Sequence, residues 1–173
     1  MMKRLMFIFL GLLLNAYAQP SPLEGKEYDL KAAFIYKFTN YIEWDTPGAD
    51  NTFTIGVFGF SPINSALTKL SQSKYVKEKK IIIRQFHKIE EITPCHILFI
   101  SQKASIPLDN ILNKAGQKGT LIISEKTGYA KKGTDINFVL VNNSLKFEAN
   151  TKAISNTGLK VSSQLLKLAI IVD

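Results

Sequence analysis

Five short apolar runs, each dense in β-branched or aromatic residues, decide most of what this chain can fold into. They are FTIGVFG at 53–59, KKIIIRQF at 79–86, HILFIS at 96–101, TLIISE at 120–125, and the opening of INFVLVNNSLKFEAN at 136–150. Such side chains fit a pleated, half-buried surface, so each run reads as a strand. HILFIS and TLIISE are apolar almost throughout, the pattern of central strands covered on both faces. Helical segments lie between them. SPINSALTKL has Ser61 placed as an N-cap and Pro62 at the first helical position, where a missing N–H costs nothing. PLDNILNKAG at 107–116 stops at Gly116. Strands that alternate with helices build a parallel sheet with helices on its faces. NNS, inside the last run, reads as the turn of a hairpin that adds antiparallel edge strands. The expected fold is therefore a single three-layer α/β domain. Its sheet is mixed and mostly parallel, of about six strands flanked by helices, with a late β-hairpin.

The flanks follow the same logic. From Glu27 to about Tyr41, the residues Leu30, Phe34, Phe38, Tyr41 and Ile42 mark one face of an amphipathic helix. Glu27 and Asp29 then fall in its first turn, where the helix dipole favours acids. A short helix near 151–157 is stopped by Gly158, and a final helix is expected near 162–172. Residues 19–26, QPSPLEGK, read as a loose N-terminal arm, which leaves 27–173 as the domain.

The first 18 residues set the compartment. Lys3 and Arg4 precede the apolar run LMFIFLGLLL, and Ala16-Tyr17-Ala18 has the small-x-small form of a cleavage site. Ten apolar residues are too few to cross about 30 Å of hydrocarbon. Residues 1–18 are therefore expected to be a signal peptide, cleaved near Ala18 to leave a periplasmic protein with no membrane span. No cysteine follows the apolar run to carry a lipid anchor. Cleavage removes two cations and lowers the formal net charge from +8 to +6. Nucleic acid is not an expected client of an exported protein. A basic surface suits an acidic partner or an anionic membrane instead. Cys95 is the only cysteine, so no internal disulfide can form.

No catalytic signature appears. The loop GVFGFSP lacks the glycine spacing and the Lys-Ser/Thr pair of phosphate-binding loops. Cys95 and His96 are neighbours in a strand and so point to opposite faces, which spoils a nucleophile–base pair. His87, His96 and Cys95 do not have the spacing of a zinc site. Glu125 ends a central strand, where α/β proteins place ligands, but a loop-fixing acceptor explains it as well as catalysis does. No enzyme activity, cofactor or metal is expected. The candidate contact residues belong to two places. One is the loop after the fourth strand, with Glu125, Tyr129, Lys131 and Lys132. The other is the end of the first helix, with Tyr41 and Trp44. Tyr129 can serve as an anchor or fold back on the sheet, and Tyr41 and Trp44 can anchor a partner or cap the core.

In their order and spacing these segments resemble the YfiR family of exported proteins. The resemblance runs from YDLKAAFIYKFTNYIEW through FTIGVFGFSP, CHILFIS and LIISEKTGYAKKGTDINFVL to KFEANTKAISNTGLKVSSQLLKLA. It implies a non-enzymatic periplasmic repressor, often a homodimer. Such a protein binds the periplasmic domain of an inner-membrane diguanylate cyclase, holds down cyclic-di-GMP signalling, and can be sequestered by an outer-membrane lipoprotein. A sensor kinase is an equally fitting target. The resemblance also implies paired cysteines. Here Cys95 matches one such position and has no mate, which removes an internal redox bridge. The alternative reading is a periplasmic small-ligand-binding module with its pocket at the strand ends near Phe60, Ser61 and Glu125.

Overall fold

The structure, a computed structural model, describes residues 22–44, 51–116 and 118–172. The proposed signal peptide and residues 19–21 of the arm lie outside them. Among the described residues the chain begins with helix α1 (Pro22–Phe38) and the short strand β1 (Ile42–Glu43). It continues through β2 (Thr52–Phe58), α2 (Ile63–Ser71), β3 (Tyr75–Val76), β4 (Lys79–Phe86) and β5 (Ile97–Ile100). Then come α3 (Leu108–Ala115), β6 (Leu121–Ser124), β7 (Ile136–Val141), β8 (Ser144–Asn150) and α4 (Thr151–Thr157). The chain closes with β9 (Lys160–Val161), α5 (Ser163–Leu168) and β10 (Ile170–Val172).

The main sheet has eight strands in the order β10-β8-β7-β6-β5-β2-β4-β3. β4, β2, β5, β6 and β7 run parallel. The hairpin strand β8 is antiparallel to β7, and β3 is antiparallel to β4. This is the expected mixed, mostly parallel sheet. The strand count exceeds six because β3 is a two-residue pairing and β10 continues a segment that reads as helical. A second, two-stranded sheet pairs β1 with β9.

The buried runs explain the layering. Every residue of β5 and β6 is buried, as is all of β2 after Thr52, because helices cover both faces. Tyr28, Ala32, Ile35 and Phe38 of α1 join Ile63, Ala66 and Leu67 of α2 in the core on one face. Leu108, Ile111 and Ala115 of α3 form the core on the other. Gly56 in β2 is a packing requirement. A Cβ there would lie 2.7 Å from the Phe86 ring and 3.3 Å from the Cys95 sulfur. At the hairpin, Asn142 and Asn143 adopt φ of +50° and +57°. Two successive left-handed residues make the turn whose twist matches the strands. Phe138 and Phe147 pair directly across it, and both are buried against Phe34 and Phe38.

Three expectations need correction. α1 starts at Pro22, so residues 22–26 are helical rather than a loose arm, and Glu27 lies beyond the first turn. Glu27 instead pairs with Lys31 one turn on, at 2.6 Å. The buried face of α1 is not the one expected, since Leu30 is 47% exposed while Lys31 is buried. At the other end, α5 stops at Leu168. Ile170, Ile171 and Val172 are β-branched and pair in parallel beside β8. β10, not the hairpin, is therefore the edge of the sheet.

Candidate functional site

In a doubly wound sheet, ligands collect outside the carboxyl ends of the strands where the order reverses. Here the chain leaves β2 for β4 on one side and returns to β5 on the other, so the reversal lies between β2 and β5. Gly59, Phe60 and Ser61 leave β2 there, Ser101 and Gln102 leave β5, and Glu125 leaves β6 next door.

The protein's own first helix fills this crevice. The Lys31 ammonium lies 2.6 Å from one Glu125 carboxylate oxygen. Tyr28 donates its hydroxyl to the other oxygen at 3.2 Å, and the Gln102 N–H donates to that oxygen at the same distance. The Glu125 side chain is 1% exposed. Burial alone pulls the Lys31 pKa down, but hydrogen bonds to Glu125 and Glu27 outweigh it and leave it above 10.5. Burial, and then the charge on Glu125, raise the Tyr28 hydroxyl above its usual value. Three donors, one of them cationic, converge on this buried carboxylate. Glu125 is thus the acceptor that fixes α1 and the β5 loop to the sheet. The expected pocket at Phe60, Ser61 and Glu125 is occupied by Tyr28 and Lys31.

What the crevice leaves outside is Phe60. Its ring is 74% exposed, the largest exposure among the big apolar side chains of the described residues. It rests on the exposed His87 imidazole with ring centroids 4.6 Å apart. The backbone beneath is fixed. Ser101 donates its hydroxyl to the Phe60 carbonyl at 2.7 Å, and the Gln85 amide donates to the Gly59 carbonyl at 2.7 Å. The Gly59 N–H donates to the Phe86 carbonyl at 2.9 Å. Gly59 has φ of +84°, a conformation that favours glycine. These hydrogen bonds fix the loop backbone with a large apolar side chain out in water, where covering it would gain hydrophobic free energy.

The six expected contact residues are not gathered on one surface. Tyr129 is 7% exposed and packs on the α3 face of the sheet, with the Lys126 ammonium 5.3 Å from its ring. That is the folded-back position of the two expected for it. Glu125 is internal, as described. Tyr41 and Trp44 are half-buried against the opposite core. Trp44 donates its indole N–H to the His96 carbonyl at 3.1 Å and meets Phe53 edge to face. Both rest against the edge of that core and stay partly exposed. Lys131 and Lys132 are exposed, but at the other end of the sheet. β6 and β7 are parallel neighbours, so residues 125–135 must run back from the carboxyl edge to the amino edge, and the two lysines fall at its far end. Phe60 was legible as a strand-end residue but not as an exposed one.

Cys95 and His96 do lie on opposite faces. Cys95 is buried against Gly56 and Phe86, and desolvation pushes its thiol up to about 11. His96 stacks on Phe53 and accepts a hydrogen bond at Nδ1 from the Thr54 N–H. Burial, with Lys79 nearby, holds its pKa below 6.5. With one side chain on each face of the sheet, the two do not form a nucleophile–base pair. Among the described residues no three His, Cys, Asp or Glu side chains converge to hold a metal, and no helix is long and apolar enough to cross a membrane.

A search of curated proteins found no match. The YfiR/HmsC-like family matches residues 28–170, which takes in α1 from Tyr28, the whole main sheet as far as the first residue of β10, and the Phe60 loop. With the doubly wound fold in place over that span, this chain belongs to the YfiR/HmsC-like family.

Proposed function

We propose that this protein is a non-enzymatic periplasmic regulator that binds and represses an inner-membrane signalling protein, a diguanylate cyclase or a sensor kinase. Family membership supports a regulator of cyclic-di-GMP signalling. The observation that carries the binding role is Phe60, exposed on a fixed loop at an edge whose crevice is already filled. A pocket built for turnover needs an open site with free acid, base or nucleophile groups. A docking surface needs a rigid apolar anchor with an accessible rim. The Phe60 edge has the second form. His87 extends the anchor and Lys88 lies beside it, so the fitting partner is an apolar pocket with an acidic rim. An outer-membrane lipoprotein that covers the same ring would release the target by competition.

Burying one phenyl ring at such a centre contributes about 2–4 kcal/mol, or at least some thirtyfold in affinity. The test is a deletion strain complemented with wild type or with Phe60→Ala. Cyclic-di-GMP, or the output of the neighbouring kinase, is measured together with the amount of periplasmic protein. The reading expects repression to be lost at normal abundance. Full repression by Phe60→Ala would exclude this edge from the contact.

A further inference from the structure

At the amino ends of β6 and β7, away from Phe60, a cleft of about 540 Å³ opens between α3, the 125–135 crossover and α4. That volume lies within the range of small-molecule sites. Its charged rim is one-sided. Lys131, Lys132 and Lys152 line it, all three are exposed, and none forms an ion pair among the described residues. The one acid among the described lining residues is Asp135, only 3% exposed, whose carboxylate accepts the Ile122 N–H at 2.6 Å. The Asp135 backbone is held as well, donating to the Ile122 carbonyl at 3.0 Å and accepting from the Asn150 N–H at 2.9 Å. Asn113 and Asn156 add exposed amides from α3 and α4. Three exposed cations without an ion-pair partner among the described residues suit an occupant that supplies oxyanions. The fixed floor and the two amides suit an occupant with a polar body.

We propose that this cleft binds a small organic anion bearing phosphate or carboxylate groups. Lys131, Lys132 and Lys152 hold the oxyanions, and Asn113, Asn156 and Asp135 face the rest of the molecule. The site is separate from the Phe60 edge, so it stands or falls independently of the repressor reading.

Pyrophosphate and citrate are the probes. Each is titrated into the isotope-labelled mature protein in sodium chloride buffer and followed by backbone amide NMR. The two arms tell a phosphate site from a carboxylate site. The variants are Lys131→Gln, Lys132→Gln and Lys152→Gln combined, and a charge-matched control, Lys69→Gln, Lys80→Gln and Lys167→Gln combined. All six lysines are exposed, so both proteins keep the fold, which the same spectra show directly. The proposal expects saturable shifts centred on Asp135, Asn113 and Asn156 with at least one probe. It expects affinity to fall about tenfold or more in the cleft variant, and to hold in the control. Shifts that never saturate with either probe would overturn it. Equal weakening in the two variants would also overturn it, as the mark of general attraction to a basic protein.

Discussion

Breaking the Lys31–Glu125 pair gives the sharpest test of how the crevice is closed. Lys31→Met removes the ammonium and keeps most of the aliphatic stem. It leaves a carboxylate that is 1% exposed with two donors, Tyr28 and the Gln102 N–H, in place of three. Removing one partner of a buried pair costs about 3–5 kcal/mol, because the survivor stays desolvated. The two remaining donors place this variant at the lower end, about 3 kcal/mol. Glu125→Gln is milder. Its amide oxygen still accepts hydrogen bonds, and Lys31 keeps Glu27 at 2.6 Å, so about 1–2 kcal/mol is expected. The double variant should cost less than the two singles together, by about 1–3 kcal/mol of coupling. The pH dependence follows from the sign of the Lys31 shift. Its native pKa lies above the ordinary 10.5, so its contribution is complete below that value and fades only as pH rises through the native pKa. The cost of Lys31→Met should therefore be flat across neutral pH. Urea unfolding followed by the fluorescence of Trp44, the only tryptophan, gives each midpoint, with an unchanged slope as the control. A loss below about 1 kcal/mol for Lys31→Met, inside the range of exposed pairs, would refute the argument. So would strict additivity of the two singles.

Three further outcomes are expected. Burial raises Asp135 to about 7 from 3.8. The unfolded chain then ionises first, and stability should fall between about pH 4 and pH 7 by an order of 4 kcal/mol. Asp135→Asn should flatten that decline and gain stability above neutrality in urea melts, and an unchanged slope would count against a buried acid. Phe138→Ala should cost roughly 3–5 kcal/mol by calorimetry or urea, since it removes a ring packed on Phe34, Phe38 and Phe147, and a cost under about 1 kcal/mol would mean the hairpin register is wrong. Cys95, buried and poorly ionised, should react with a thiol reagent only on unfolding, and rapid labelling of the native protein would contradict its place under Gly56.

The sheet was legible where chemistry and period agree. KKIIIRQF matches β4 to the residue, and the β5 and β6 runs are apolar enough to require cover on both faces. The face of α1 was not, because Lys31 sits in the middle of the buried stripe. A lysine reads as solvated, and its burial is tolerable because it pairs with Glu27 one turn away and with Glu125, which the fold brings close from 94 residues away. Leu30 drew the stripe to the wrong side for the same reason. β10 was hidden by its continuity with a helical pattern, and β1, β3 and β9 are two-residue pairings with no period to detect. At the candidate site, Glu125 was legible as a strand-end acceptor. The exposure of Phe60 was not, since it depends on Ser101 and Gln85 holding the loop outward. The cleft was equally invisible, because it is assembled from α3, α4 and a crossover that runs against the sheet.

The central claim is that the Phe60 edge contacts an inner-membrane signalling protein, and the direct measurement is in-cell photocrosslinking. A photoreactive residue is placed at position 60 of the exported protein, with a control at Leu140, which is also exposed but lies on β7. Adducts are identified by mass spectrometry after irradiation. The account predicts that position 60, and not position 140, captures an inner-membrane protein with an extracytoplasmic domain and a cyclase or kinase module. Capture of no membrane protein at position 60, or the same adducts at both positions, would contradict it.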